Sequence, residues 1–370
     1  MIGCRSARAL LGVVLLLAAC SGRDARRTVA SSAASHGRDA GTTLVVFNAG
    51  SLARPLRAAL DSFAAPRGIT IEQENAGSLE TARKLTDLHK IPDIVALADY
   101  EVFPELLMPG QLTWYVQFAR NRMVIAYTDK SRFANEITSD NWWRILQRPG
   151  VQVGRSDPNL DPNGYRTLLT MQLAARYYKR PQLYERLLAA APPRNVRPKE
   201  VDLVGLVQAG ELDYIWSYES VAQGANLKFV TLPEQIDMST PADSASYAQA
   251  TTRVQGKSVG DTIVVHGQPI VYGVSIPTHA PHRALAEQFL AWMLSRDGQR
   301  VLREAKLDAL EHPVLVGTGA PAAITAVTAA AAVSSGAPSR ATLSRAAPSQ
   351  AAPSRTAPSQ PSKTTPASER

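Results

Sequence analysis

Cysteine is nearly missing from this chain: two occur in 370 residues, Cys4 and Cys20, both within the first twenty. A disulfide framework is therefore excluded for the body of the protein, and cysteine-based redox or metal centres with it. Histidine is also sparse, and its six copies show no ligand spacing such as His-Glu-x-x-His. Neither a Gly-x-Ser-x-Gly elbow nor a Walker or dinucleotide glycine pattern occurs. Without a positioned base, a serine here reads as a hydrogen-bond donor rather than a nucleophile, so no enzyme activity and no cofactor are expected.

Long apolar runs are absent apart from Ala9 to Ala19, which is too short to span a bilayer. With Arg5 and Arg8 before it and small residues at its end, it has the order of a secretory signal over residues 1–20. The segment Leu17-Ala18-Ala19-Cys20 matches the bacterial lipobox, in which the cysteine is lipidated and becomes the new N-terminus. An exported protein is expected, attached to a membrane through lipid on Cys20 alone and facing the periplasm or cell exterior. Residues 21–41 then form a flexible tether. At the other end, residues 317–370 are dominated by Ala, Pro, Ser and Thr, with Ala-Pro-Ser recurring at 337, 347, 352 and 357. This composition offers too little apolar area to offset ordering entropy and predicts a disordered tail.

An excess of one charge is missing from the body as well. The formal charge of +8 resides in the ends, +4 in residues 1–40 and +4 in 318–370, leaving 29 basic and 29 acidic residues between them. A nucleic-acid surface is not supported.

What remains, from about 42 to 316, alternates strands with helices as an α/β protein does. Strands are predicted at 94–97, 122–127, 151–154, 214–218, 228–232 and 270–276. Helices are predicted at 141–147, 164–178, 181–190, 200–209 and 282–294, the last with Leu285, Phe289, Trp292 and Met293 on one face. The segments 122–127 and 270–276 each lead from one stretch of α/β units into the next. If both cross between lobes, 42–125 plus 270–316 make a discontinuous first lobe and 126–269 a continuous second, with a ligand cleft between.

The most informative feature is a repeat. Asn48-Ala49-Gly50-Ser51 and Asn75-Ala76-Gly77-Ser78 lie 27 positions apart, each where a predicted strand hands over to a predicted helix. A helix N-terminus leaves backbone N–H groups without partners and carries the positive end of the macrodipole, so it favours an anion. Glycine lets the backbone approach closely, and serine adds a donor. The plain alternative is that both serines are N-caps. Adjacent parallel strands would put both turns on the same sheet edge. A third turn, Asp157-Pro158-Asn159-Leu160-Asp161-Pro162-Asn163-Gly164-Tyr165-Arg166, leads into the 164–178 helix; here too Asp161 before Pro162 is an ordinary way to start a helix.

Taken in order, Phe47 to Leu52, Ala76 to Ser78, Ala98-Asp99-Tyr100, Phe118 to Asn121, Ala126-Tyr127-Thr128, Asn141-Trp142, Asp157 to Arg166 and Leu212-Asp213-Tyr214 resemble the tungstate/molybdate-binding proteins of ABC importers, the archaeal-type branch in particular. The resemblance covers about 44 to 315. It implies a two-lobed periplasmic-binding-protein fold of type II with two crossing hinge strands and a central cleft, a small oxyanion as ligand, an ABC permease as partner, and a monomer. It also implies that turn amides and serines hold the oxyanion while two carboxylates approach its metal. Matched by motif, Gly50, Ser51 and Ser78 are the donors, Asp161 is the first carboxylate, and Pro162 and Asn163 stand beside it, Asn163 where many relatives have Cys. The second carboxylate belongs to the segment after Asp213-Tyr214. Relatives carry an acid where this chain has Ser217. Glu219 lies two residues on, and a continued strand would put both on one face; a solvated Glu219 at a helix start is the other reading. A binding protein for sulfate, phosphate or another small anion, or a sensor lipoprotein on the same fold, is the competing function.

Overall fold

A computed structural model describes residues 41–256 and 260–334. The signal peptide, Cys20, nearly all of the tether, and the tail beyond 334 lie outside the described residues.

In chain order the elements are β1 (Thr43–Ala49), α1 (Ala53–Ala64), β2 (Thr70–Ala76), α2 (Ser78–Thr86), β3 (Ile94–Leu97), β4 (Trp114–Arg120), β5 (Met123–Tyr127), α3 (Trp142–Ile145), β6 (Val153–Ser156) and α4 (Pro162–Tyr177). They continue as α5 (Leu183–Ala190), β7 (Val196–Arg197), α6 (Glu200–Ala209), β8 (Tyr214–Tyr218), α7 (Glu219–Gly224), β9 (Lys228–Thr231), α8 (Glu234–Asp237), α9 (Ser244–Tyr247), β10 (Thr251–Gln255) and β11 (Thr262–His266). The last are β12 (Val271–Ser275), α10 (Arg283–Met293), α11 (Arg296–Glu304), β13 (Asp308–Gly317) and α12 (Ala322–Ser334).

Two sheets organise the chain. The first has the order β13-β4-β12-β3-β1-β2, with β1 parallel to β2 and β3, and β12 antiparallel to β3 and β4. The second has the order β7-β6-β8-β5-β9, and β10 pairs with β11 as a separate ribbon. The second sheet is covered on both faces, and strand alternation sorts its residues. Met123, Ile125, Tyr127, Tyr214, Trp216 and Tyr218 join the large core. Val124, Ala126 and Ile215 face a smaller cluster with Leu203 and Val207 of α6. In the first lobe, α1 and α10 meet through Phe63, whose ring lies 5.4 Å from Phe289 and 5.8 Å from Trp292.

The chain passes between sheets twice. The first passage is Asn121-Arg122, between β4 and β5, and the second precedes β12. Both run side by side, for Asn121 N donates to the Ile270 carbonyl at 3.2 Å. Among the described residues strand β5 pairs with β8 and β9 and not with the first sheet, so the first passage falls a few residues before the position 125 suggested by the sequence.

One expectation is corrected. The disordered tail was expected from 317, yet α12 occupies 322–334 and packs on α10 and β13, with Ile324 fully buried. Its alanine run has the highest helix propensity available, and a window averaged with the Pro-Ser repeats hides it. Strands β4, β10, β11 and β13 and helix α11 were also not anticipated.

Candidate functional site

The two Asn-Ala-Gly-Ser copies end neighbouring strands in matching register, Asn48 opposite Asn75 and Ala49 opposite Ala76. Asn48 Nδ2 donates to Asn75 Oδ1 at 2.7 Å, and Gln73 Nε2 donates to Asn48 Oδ1 at 3.0 Å, which locks the two exits together. Gly50–Leu52 then form a tight turn into α1, while Gly77 leads into α2. Neither serine caps its helix through the side chain: Ser51 lies inside the turn and Ser78 is the first residue of α2. Their hydroxyl oxygens accept from elsewhere instead, Ser78 Oγ from Ala98 N at 2.9 Å and Ser51 Oγ from the Tyr272 hydroxyl at 3.2 Å. Each serine keeps its own hydroxyl proton to donate. The N-cap reading of the two serines is thus not what the fold uses.

Asp161 is an N-cap. Its Oδ1 accepts from Asn163 N at 3.0 Å, with Pro162 at the first helical position of α4. Its Oδ2 accepts from Glu200 N at 2.7 Å, so one carboxylate caps two helices. Burial pushes the Asp161 carboxyl up to about 6, against the pull of those two N–H donors. Asn163 is buried and its Oδ1 accepts from Ser156 Oγ at 3.2 Å. Gly164 is required where it stands, because a Cβ would overlap the backbone of Ser156 and Asp157.

Arg166, one turn further along α4, is 1% exposed and reaches across to the first lobe. Its Nη1 donates to the Ala98 carbonyl at 2.7 Å and to the Tyr218 hydroxyl at 2.8 Å, while Nη2 lies 3.2 Å from Asp99 Oδ2. The Tyr165 hydroxyl donates to the same Asp99 carboxylate.

The lobes touch at these same turns. Gly77 lies so close to the Leu160 carbonyl and the Asp161 backbone that no Cβ would fit, and Glu80 N donates to Leu160 O at 3.4 Å. On the other copy, a Cβ at Gly50 would meet Val201 of α6 at 3.3 Å. Lys199 Nζ donates to Asn75 O at 3.4 Å. The starts of α1 and α2 in one lobe therefore face the starts of α4 and α6 in the other, four helix N-termini around one buried region. Gly50, Ser51, Ser78, Asp161, Pro162 and Asn163 are brought together there.

Ser217 belongs to this region and Glu219 does not face it. Ser217 Oγ donates to Glu200 Oε1 at 2.6 Å. Strand β8 ends at Tyr218 and Glu219 opens α7, so the alternation that would have aligned Ser217 with Glu219 stops between them. Glu219 Oε2 instead lies 3.0 Å from Arg122 Nε, on a cavity of about 600 Å³ beside the passages between lobes, lined also by Arg120, Ser220, Arg303 and Lys306. Sequence reasoning missed Glu200, Arg166 and Tyr272. An acid at the first position of a helix is too ordinary a partner of the macrodipole to stand out, and Tyr272 is remote in sequence from both turns.

The model of the bacterial extracellular solute-binding protein family matches residues 44–305. Among curated relatives, a solute-binding protein of Petrotoga mobilis is 44% identical, covering 73% of this chain and 84% of its own length. The molybdate/tungstate-binding protein WtpA of Pyrococcus abyssi is 38% identical, covering 84% of this chain and 94% of its own. Two solved structures share the fold at 16% identity. The sulfate-binding protein SubI from Mycobacterium tuberculosis has a TM-score of 0.52, over 79% of this chain and 91% of that one. The periplasmic molybdate-binding protein of Azotobacter vinelandii has a TM-score of 0.50, over 71% and 98%. Among the described residues, no helix is long and apolar enough to cross a membrane.

Proposed function

Since this chain belongs to the family of bacterial extracellular solute-binding proteins, we propose that it captures molybdate or tungstate between its two lobes and delivers the anion to the permease of an ABC importer, held at the membrane by lipid on Cys20. The observation that carries this reading is the meeting of two Gly-Ser turns with the carboxylate of Asp161 across the lobe boundary. Helix N-termini and the hydroxyls of Ser51 and Ser78 suit a doubly charged oxyanion. A buried carboxylate among them repels sulfate and phosphate, whereas molybdenum and tungsten in their highest oxidation state accept further oxygen ligands. The relatives named as molybdate/tungstate-binding proteins in Pyrococcus abyssi and Thermococcus kodakarensis, each 38% identical, support the same ligand. Pro162 and Asn163 belong to the site by packing at the start of α4, where Asn163 N holds the Asp161 carboxylate.

Titration calorimetry with tungstate, molybdate, sulfate and phosphate tests the reading. Tungstate and molybdate are expected to bind at least roughly tenfold more tightly than sulfate, a difference of 1.4 kcal/mol or more. Tight sulfate binding without any response to tungstate or molybdate overturns it. The anchor has its own test: Cys20→Ser is expected to release the protein from the membrane fraction, and retention there refutes lipidation at this residue.

A further inference from the structure

The buried carboxylate of Glu200 has no function in the reading above, which assigns one acid, Asp161. Glu200 is the first residue of α6 and is 1% exposed. Its own N–H donates to Asp161 Oδ2, so the two acids are immediate neighbours. One of its oxygens is held rigidly, Oε1 accepting from Ser217 Oγ and from Tyr218 N, each at 2.6 Å. The other, Oε2, is buried without a hydrogen-bond partner. An orphaned buried carboxylate oxygen carries a desolvation cost that native folds rarely leave standing without a use.

Among the described residues, neither Asp161 nor Glu200 forms an ion pair with a basic side chain; the Arg166 charge is felt at Asp161, but its guanidinium is engaged with Asp99, Ala98 and Tyr218. A bound divalent cation would suit two acids, but four helix N-termini converge on this region and oppose a free cation. What fits both the acids and the N-termini is an anion whose central atom is itself a hard, highly charged metal. Its oxo groups then meet the amides and hydroxyls, and its centre meets the carboxylates.

We infer that Glu200, through Oε2, is the second carboxylate ligand of the oxyanion's metal centre beside Asp161, with Ser217 as the residue that positions it. Ser217 has no carboxyl group, and its hydroxyl holds the carboxylate that arrives from α6. Glu219 is engaged with Arg122 and Gln223. This inference rests on the proposed oxyanion function and is separable from it.

The variant Glu200→Gln keeps an Oε1 acceptor for Ser217 and Tyr218 at nearly unchanged volume, so it preserves the structural contacts and removes the carboxylate. Tungstate titrations of the wild type, Glu200→Gln and Glu219→Gln are compared with tungsten X-ray absorption spectra of the loaded proteins and with melting of the unloaded ones. The expected result is a loss in tungstate affinity of roughly tenfold or more for Glu200→Gln, one fewer oxygen around tungsten, no loss in melting temperature, and unchanged or tighter sulfate binding. Glu219→Gln is expected to match the wild type. Wild-type affinity and an unchanged oxygen count in Glu200→Gln overturn the inference alone, as does a loss confined to Glu219→Gln. A wild type that binds neither tungstate nor molybdate overturns the oxyanion reading and this inference with it. Should Glu200→Gln fail to fold, Glu200→Asp withdraws the carboxylate by one methylene, and the same oxygen count decides.

Discussion

Gly77 marks how little space the lobe boundary leaves, since any Cβ there would overlap the Leu160 carbonyl oxygen. Its φ of −67° is open to every residue, so the requirement for glycine comes from close approach and not from backbone conformation. The clash is one between the lobes, so a side chain here opposes their close approach. Gly77→Ala is therefore expected to weaken tungstate binding by roughly tenfold or more and to abolish ligand-induced compaction in small-angle scattering, with little change in the melting of the unloaded protein. Asp161 combines two roles that mutation separates. As a cap it is worth roughly 0.5–2 kcal/mol, so Asp161→Ala lowers stability by that order, and the affinity for tungstate is expected to fall by more. A shift in melting with unchanged tungstate binding would reduce Asp161 to a cap.

At the scale of elements, α6 and α12 are the instructive pair. The sequence predicts α6 with its observed ends, 200 to 209, and Gly210 closes it in the left-handed conformation at φ 83°. What the sequence does not convey is that its first residue abuts the cap of α4. Helix α12 escapes a composition averaged over a long window, while Ile324 finds a fully buried place. Ile324→Ala is expected to cost roughly 2–5 kcal/mol, read as a lower urea midpoint, without altering tungstate affinity, because α12 packs on α10 and β13 and not on the facing turns.

For the molecule as a whole, the two passages between lobes form the hinge. Asn121 joins them, its Nδ2 donating to Ser220 Oγ at 2.7 Å and to the Tyr272 hydroxyl at 2.9 Å, and Tyr272 in turn reaches Ser51. A polar chain thus runs from the hinge to the first Gly-Ser turn. Asp237 lies beside the same passages, 3.7 Å from Arg122 and fully buried, and burial pushes its carboxyl up to about 6 in spite of hydrogen bonding at Ser239 and the Arg122 charge. A folded-state value above the unfolded one favours the protonated form in the native state. The contribution of Asp237 to stability is therefore fully present below about pH 4 and is lost as pH rises through 6. Asp237→Asn keeps the Ser239 contact and is expected to stabilise the protein at pH 7 by up to roughly 3 kcal/mol, at 1.4 kcal/mol per pH unit. The gain should vanish near pH 4 in urea unfolding at the two pH values, and an equal gain at both would refute the assignment.

Much of the architecture was legible along the chain. Strand and helix alternation, the 27-residue repeat and the turn into α4 are local patterns, and local periodicity and turn chemistry suffice to read them. The register of Asn48 with Asn75 follows from two adjacent parallel strands of equal offset from their turns. Which acids meet is a different kind of fact. Glu219 looked aligned with Ser217 only while β8 was imagined to continue, and Glu200 is separated from Asp161 by two helices, a turn and a strand. Helix termini and their turns are properties of short segments, so sequence alone placed the two Gly-Ser turns at strand-to-helix junctions. The pairing of Asp161 with Glu200 depends on how α4 and α6 pack around the second sheet and how the lobes close over them, and only the tertiary structure decided it.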